Sequence, residues 1–140
     1  MAARKEANRT DEAKDAKTAK PLEEMTFDEV KQDQKILADL PDIQKPETFT
    51  PKVAAECMQT RARIREVFRQ IQESTAENAK DSAYALAVGT ADILNTADEF
   101  LRSISLDANA YDAWSRGRNP DALAYAYATL VFWLEAQLGK

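Results

Sequence analysis

Residues 119–140 read NPDALAYAYATLVFWLEAQLGK, and this stretch decides the fold. Asn119 suits a helix N-cap, and Pro120 suits the first helical position, where a missing N–H costs nothing. Asp121 sits at the positive end of the helix dipole, and Gly139 can take the left-handed conformation that ends a helix. Between these signals residues 122–134 carry no charge, and Thr129 interrupts an otherwise aliphatic and aromatic run. A helix apolar all round is buried on several sides or crosses a membrane. Crossing needs about 20 apolar residues, more than this run holds, so the pattern predicts the central helix of a small helical domain. Leu123, Tyr127, Leu130, Leu134 and Leu138 fall on one face. Tyr125, Phe132 and Trp133 point elsewhere and need cover of their own. That cover is either the core of the monomer or a partner, which makes Tyr125, Phe132 and Trp133, with Trp114, the candidate partner-binding residues.

Composition narrows the class. The chain has 140 residues, enough for one modest domain and a tail. Its 24 acidic and 19 basic residues give a net charge of −5, which argues against a general nucleic-acid binder. The single cysteine, Cys57, excludes an intramolecular disulfide and points to a reducing compartment. There is no histidine, so the commonest general base and the commonest metal ligand are both missing. No phosphate-binding, dinucleotide, zinc or calcium pattern appears. The expectation is a non-enzymatic protein without cofactor or metal. The N-terminus has no apolar run of the signal-peptide kind, so a cytoplasmic protein without a membrane partner is expected. Only three glycines and few β-branched clusters argue against a sheet. The predicted class is all-α: a small domain of about four helices, with a disordered N-terminal tail and an extended, proline-containing strap.

Three regions follow along the chain. Residues 1–20 mix six basic and four acidic residues with no large side chain after Met1, which predicts a disordered polyampholyte. Residues 21–51 form a transition. Thr26 and Glu29 make a capping box, with Met25 and Val30 as its staple, and a short helix is expected over 28–38. Pro41, Pro46 and Pro51 then forbid a long helix, leaving a strap pinned by Leu40, Ile43 and Phe49.

Residues 52–140 form the helical domain. Thr50 caps a first long helix expected to end near Gln72, with Val53, Cys57, Ile64, Phe68 or Val67, and Ile71 on its apolar face. Cys57 reads as packing. Arg61, Arg65 and Arg69 recur every four residues, as a solvated face partnered by Glu66 and Glu73 or as a basic ridge for an acidic or phosphate-bearing partner. A polar connection is expected over 74–80. A second long helix then runs to about Ile104, with Ala83, Leu86, Ala87, Ala91, Leu94, Ala97, Leu101 and Ile104 as its stripe. Small residues dominate its first half and let a neighbouring helix come close there, while Gly89 weakens the middle by roughly 1 kcal/mol relative to Ala. Thr96 with Glu99 suggests a break near Asn95. Asp107 caps a short helix with Leu106 as the staple for Tyr111, ending at Gly117, with Arg116 and Arg118 at its negative end. The acidic pairs Glu23-Glu24 and Asp98-Glu99 read as surface residues.

Two segments carry a resemblance: the strap LADLPDIQKPETFTP (37–51) and ANAYDAWSRGRNPDALAYAYATLVFWLEAQLGK (108–140). With the intervening helical hairpin, the order over residues 35–140 resembles the tail assembly chaperones of long-tailed bacteriophages, particularly those of actinobacterial hosts. The resemblance implies a cytoplasmic protein of the host cell that is absent from the finished virion. It would bind the long, helix-rich tape measure protein and recruit tail tube subunits onto it. Many such chaperones also exist in a longer form made by a −1 frameshift, and codons for Gly139-Lys140 can contain a slippery run.

Other readings stay open beside it. One is a generic helical interaction protein or secretion chaperone, including one that self-associates. Another is a DNA-packaging or regulatory protein using Arg61, Arg65 and Arg69, although nucleic acid is not the expected partner.

Overall fold

The computed structural model describes the backbone of residues 20–77 and 79–140, and their side chains outside 75–80. Among these, five α-helices occur: α1 (Phe27–Asp33), α2 (Pro51–Glu77), α3 (Ala79–Ile104), α4 (Ala108–Ser115) and α5 (Pro120–Gln137). The described residues contain no strand, and the fold is all-α as the sequence predicts, with one helix more than expected. The disordered tail predicted at 1–20 lies outside the described residues apart from Lys20, which pairs with Glu29 at 3.1 Å.

The two long helices form the frame. Thr50 Oγ1 accepts the Val53 N–H at 3.2 Å and starts α2. The predicted end near Gln72 and the polar connection over 74–80 are both corrected, because α2 runs to Glu77 and α3 starts at Ala79. Residues 74–80 are polar, yet they hold no glycine or proline and include Ala, Glu and Lys, all good helix formers. A polar composition alone does not end a helix. The break expected near Asn95 is also absent, since α3 passes through it. A Thr-x-x-Glu pattern caps a helix only where the backbone already departs from helix. Here Ile93, Ala97, Phe100, Leu101 and Ile104 are all buried on one continuous face.

α2 and α3 pack antiparallel, with Gly89 beside Val67 and Ile71, and with Phe100 and Ser103 beside Glu56 and Thr60. A Cβ on Gly89 would lie 2.8 Å from both Val67 Cγ1 and Ile71 Cδ1, so the close approach depends on the missing side chain.

α5 packs over both helices. Asn119 Oδ1 accepts the Ala122 N–H at 3.0 Å, and Gly139 ends the turn at φ 83°. Leu123, Tyr127, Leu130 and Leu134 are buried as predicted, while Leu138 is the half-buried C-cap. Ala124, Ala126, Ala128, Val131 and Trp133 are buried as well, so the chain itself covers nearly the whole circumference of this helix.

The N-terminal region closes the remaining sides. The capping box forms, with Glu29 N–H on Thr26 Oγ1 at 3.2 Å and Thr26 N–H on Glu29 Oε1 at 3.1 Å. The helix predicted over 28–38 ends early, at Asp33, and a 3-10 turn follows at Lys35–Leu37. In one continuous helix Leu40 would leave the face of Val30 and Leu37, and the break at Gln34 lets all three reach the core. The strap is pinned as expected. Leu40 and Ile43 are buried, and Phe49 meets Phe100 edge-on at 6.4 Å. Backbone bonds reinforce it, from Gln44 N–H to Ile104 O at 2.8 Å and from Leu106 N–H to Asp42 O at 3.0 Å.

α4 starts with Asp107 Oδ1 accepting the Ala110 N–H at 3.1 Å. It buries Tyr111 and Trp114, and Gly117 at φ 74° turns the chain out of it. The Leu106–Tyr111 staple does not form. Leu106 is exposed, because its backbone is committed to the strap and its side chain is left outward.

Candidate interaction surfaces

The four aromatic candidates do not make one face. Trp133 is buried, donates its indole N–H to Met25 O at 2.7 Å and stacks on Phe27 at 5.7 Å. Trp114 is buried between Tyr111 and Tyr127, with the Arg118 guanidinium 4.9 Å from its ring centre. Arg118 also donates to Trp114 O at 2.7 Å, so it caps α4 at its negative end. Phe132 is half-buried, edge-on to Phe68 at 6.3 Å and beneath Arg61 at 5.6 Å. Tyr125 alone of the four lies open, 63% exposed. Burial therefore takes Trp133 and Trp114 out of any free partner surface, and Phe132 offers only an edge. A helix apolar all round did need cover, and α2, α3 and the N-terminal segment supply it.

The basic face is largely matched by carboxylates. Arg61 meets Glu135 of α5 at 3.3 Å, a pairing that sequence spacing does not reveal. Arg69 donates from Nε to Glu66 at 2.9 Å and also contacts Glu73. The Arg69 hydrogen bond holds the Glu66 carboxyl below its ordinary value. Arg65 is exposed. The ridge thus has the locally partnered character of a solvated helix face.

Sequence reasoning missed a buried polar cluster. Asp98 Oδ1 accepts Tyr111 Oη at 2.8 Å and lies 3.1 Å from Tyr127 Oη, and the two phenol oxygens are 2.6 Å apart. Asp98 had read as half of a surface pair. The available signal was the two tyrosines, which need a partner for their hydroxyls once buried. Burial first, then the neighbouring phenol, pushes Tyr111 upward, and burial likewise raises Tyr127, so both stay protonated. The cluster ties α3, α4 and α5 together. Beside it Arg102 grips Asp112 of α4 with two bonds, at 2.9 and 3.1 Å.

Cys57 is buried, and its thiol is pushed up to about 12, by burial first and then by the charge of Glu135. It is a packing residue and not a nucleophile at neutral pH. Among the described residues no group of three potential metal ligands comes together, and no helix is long and apolar enough to cross a membrane.

Besides Tyr125, Leu106 and Met58, the open apolar side chains lie on the first half of α3. Tyr84 is 74% exposed, Leu86 54% and Val88 41%, with Ala83, Ala87 and Ala91 exposed between them. The stripe predicted from Ala83 to Ile104 is therefore buried only in its second half. The reason is length. α5 has 18 residues against 26 in α3, roughly 27 Å against roughly 39 Å at 1.5 Å per residue. The cover runs out before the hairpin does. No protein-family model, characterised protein or solved structure matches the chain.

Proposed function

We propose that this chain is a non-enzymatic assembly chaperone that holds a helix-rich client, and that the client is a phage tape measure protein onto which tail tube subunits are recruited. The observation that carries the reading is the open apolar surface from Tyr84 to Ala91 on a domain whose other large apolar groups are mostly covered. A holding protein needs such a surface on a frame that stays folded without its client. The resemblance of residues 37–51 and 108–140 to tail assembly chaperones supplies the client's identity. A generic helical interaction protein would use the same surface, and the two readings differ in the client alone. The DNA-packaging reading loses support, since Arg61 and Arg69 already hold carboxylates.

Co-expression tests the proposal. The tape measure protein encoded beside this chain should stay soluble with it and aggregate without it. Equal solubility in both cases overturns the reading. Duplex DNA should not bind at physiological salt, and tight binding that weakens steeply with salt would restore the packaging reading.

A further inference from the structure

We propose that the groove between α2 and α3, on the side turned away from α5, seats a helix of a partner protein through two Lys or Arg side chains that bracket an apolar patch. The inference rests on the reading of the chain as a holder of helical clients and adds the place, the spacing and the charge of the contact.

The hairpin has two grooves, and the chain fills one of them. α5 reaches Asp98 through Tyr127, and Arg61 and Phe68 through Glu135 and Phe132. The other groove opens as a cleft of about 510 Å³ between Val67 and Glu73 of α2 and Asp81, Tyr84, Val88 and Asp92 of α3. Gly89 lets α3 sit against Val67 at its floor. Tyr84 and Val88 stand open to solvent in it. Asp81, Ala85, Val88 and Asp92 recur at i, i+4, i+7 and i+11, so carboxylates and apolar groups share one face of α3 and one cleft.

Charge and spacing select the occupant. Among the described residues no Lys or Arg lines the cleft, and Arg69 reaches only Glu73. The three carboxylates do not gather into a metal site. Asp81 and Asp92 are set apart by roughly 16 Å along α3, at 1.5 Å per residue. The matching ligand is therefore extended and positive at both ends of an apolar stretch. A helix laid along the groove meets that spacing, because its own residues eleven apart share a face at the same rise. Lys or Arg at those two positions meet Asp81 and Asp92, and the apolar residues between them lie on Tyr84 and Val88. A cation over the open Tyr84 ring is favoured as well. Arg63 lines the next stretch of the groove and confines basic charge to the free end of the hairpin. A second copy of this face would set carboxylate against carboxylate, and a nucleic acid or an anionic lipid surface would be repelled in the same way. Such charges choose the partner and its register more than they add raw affinity.

The test uses the full chain and three labelled synthetic peptides of about 20 residues, long enough to form a helix. The first carries two Lys eleven residues apart, with Leu four and seven residues after the first Lys. The second has the same composition with both Lys moved to the opposite face. The third has Glu in place of the two Lys. The first should bind at least about tenfold more tightly than either of the others, and less tightly as salt rises. Asp81→Lys with Asp92→Lys should make the Glu peptide the preferred one. Val88→Lys should weaken the first peptide by about tenfold at little change in melting temperature, since the site is exposed. Leu86→Lys, outside the cleft, should leave its binding unchanged. Equal affinity for the three peptides, or binding lost in Leu86→Lys and kept in Val88→Lys, overturns the inference. So does a change of oligomeric state in Val88→Lys, which would make a second copy the occupant. If the Asp81→Lys, Asp92→Lys chain still keeps the tape measure protein soluble, the groove is not the client's seat and the chaperone reading stands. If the unaltered chain fails to do so, the chaperone reading falls, and the peptides still decide the groove.

Discussion

Gly89 of α3 and Val67 of α2 are so close that a methyl group on the glycine would sit 2.8 Å from a valine methyl. In a helix Ala is ordinarily better than Gly by about 1 kcal/mol. Here the added carbon meets a β-branched side chain with little rotamer freedom, and overpacking typically costs about 1–3 kcal/mol. Gly89→Ala should therefore fail to stabilise and should lower stability by up to about 2 kcal/mol. Gly89→Leu should lower it further. Urea unfolding measures both, and a more stable Gly89→Ala protein would mean that the two helices separate freely.

Trp133 and Tyr125 are neighbours in a sequence run but opposites in burial. Trp133→Ala removes a buried ring that stacks on Phe27 and bonds to Met25, and should cost about 3–5 kcal/mol. Tyr125→Ala should stay within about 0.5 kcal/mol of the parent. Melting curves of the two variants decide the matter, and equal midpoints would return Trp133 to the surface.

Asp98 offers a second contrast. Asp98→Ala leaves the Tyr111 and Tyr127 hydroxyls without their acceptor, a loss of about 1–3 kcal/mol. Asp98→Asn keeps an acceptor oxygen and should cost less. An Asp98→Ala protein as stable as the parent would show that the phenols satisfy each other.

Alkaline pH should unfold the protein through named groups. The Cys57 thiol has an ordinary value of 9.0, and the Tyr111 and Tyr127 phenols have 10.0. All three are raised in the folded state, so the folded protein holds protons that the unfolded chain releases. Stability from these groups is complete below about pH 9 and falls as pH rises, first through Cys57 and then through the tyrosines. Chemical denaturation at stepped pH values measures the slope. Phenolate absorbance should show two of the four tyrosines ionising only as the fold is lost.

Local chemistry was readable where it is decided within a few residues. Thr26 with Glu29, Asp107 and Asn119 cap the helices that the sequence assigns to them. Gly139 takes the left-handed conformation expected of it, and Gly117, where the short helix was expected to stop, has positive φ as well. Where a signal needed tertiary context it misled. Thr96 and Glu99 resemble a cap but sit inside α3, because packing of Ala97 and Phe100 holds the helix straight through them. The aromatic residues of α5 are apolar whichever way they face, so spacing could not tell core from interface. The open half of α3 escaped notice for a related reason. A stripe shows which side of a helix prefers cover and says nothing about how far the covering helix reaches.

Trp133 Nε1 donates to Met25 O, Gln137 Nε2 to Glu23 O at 3.1 Å, and Lys140 Nζ contacts the same Glu23 oxygen. Lys140 also shares a cleft with Lys45 and Pro46, just ahead of the start of α2. The last described residue is thus moored beside the twenties of the chain, at the strap end of the hairpin. A tag or fused domain joined after Lys140 would leave the molecule there, with most of the length of α3 between it and Leu86. Cargo could be hung from the carboxyl end without shading the open face, whereas a label placed at Tyr84 would stand directly in its path.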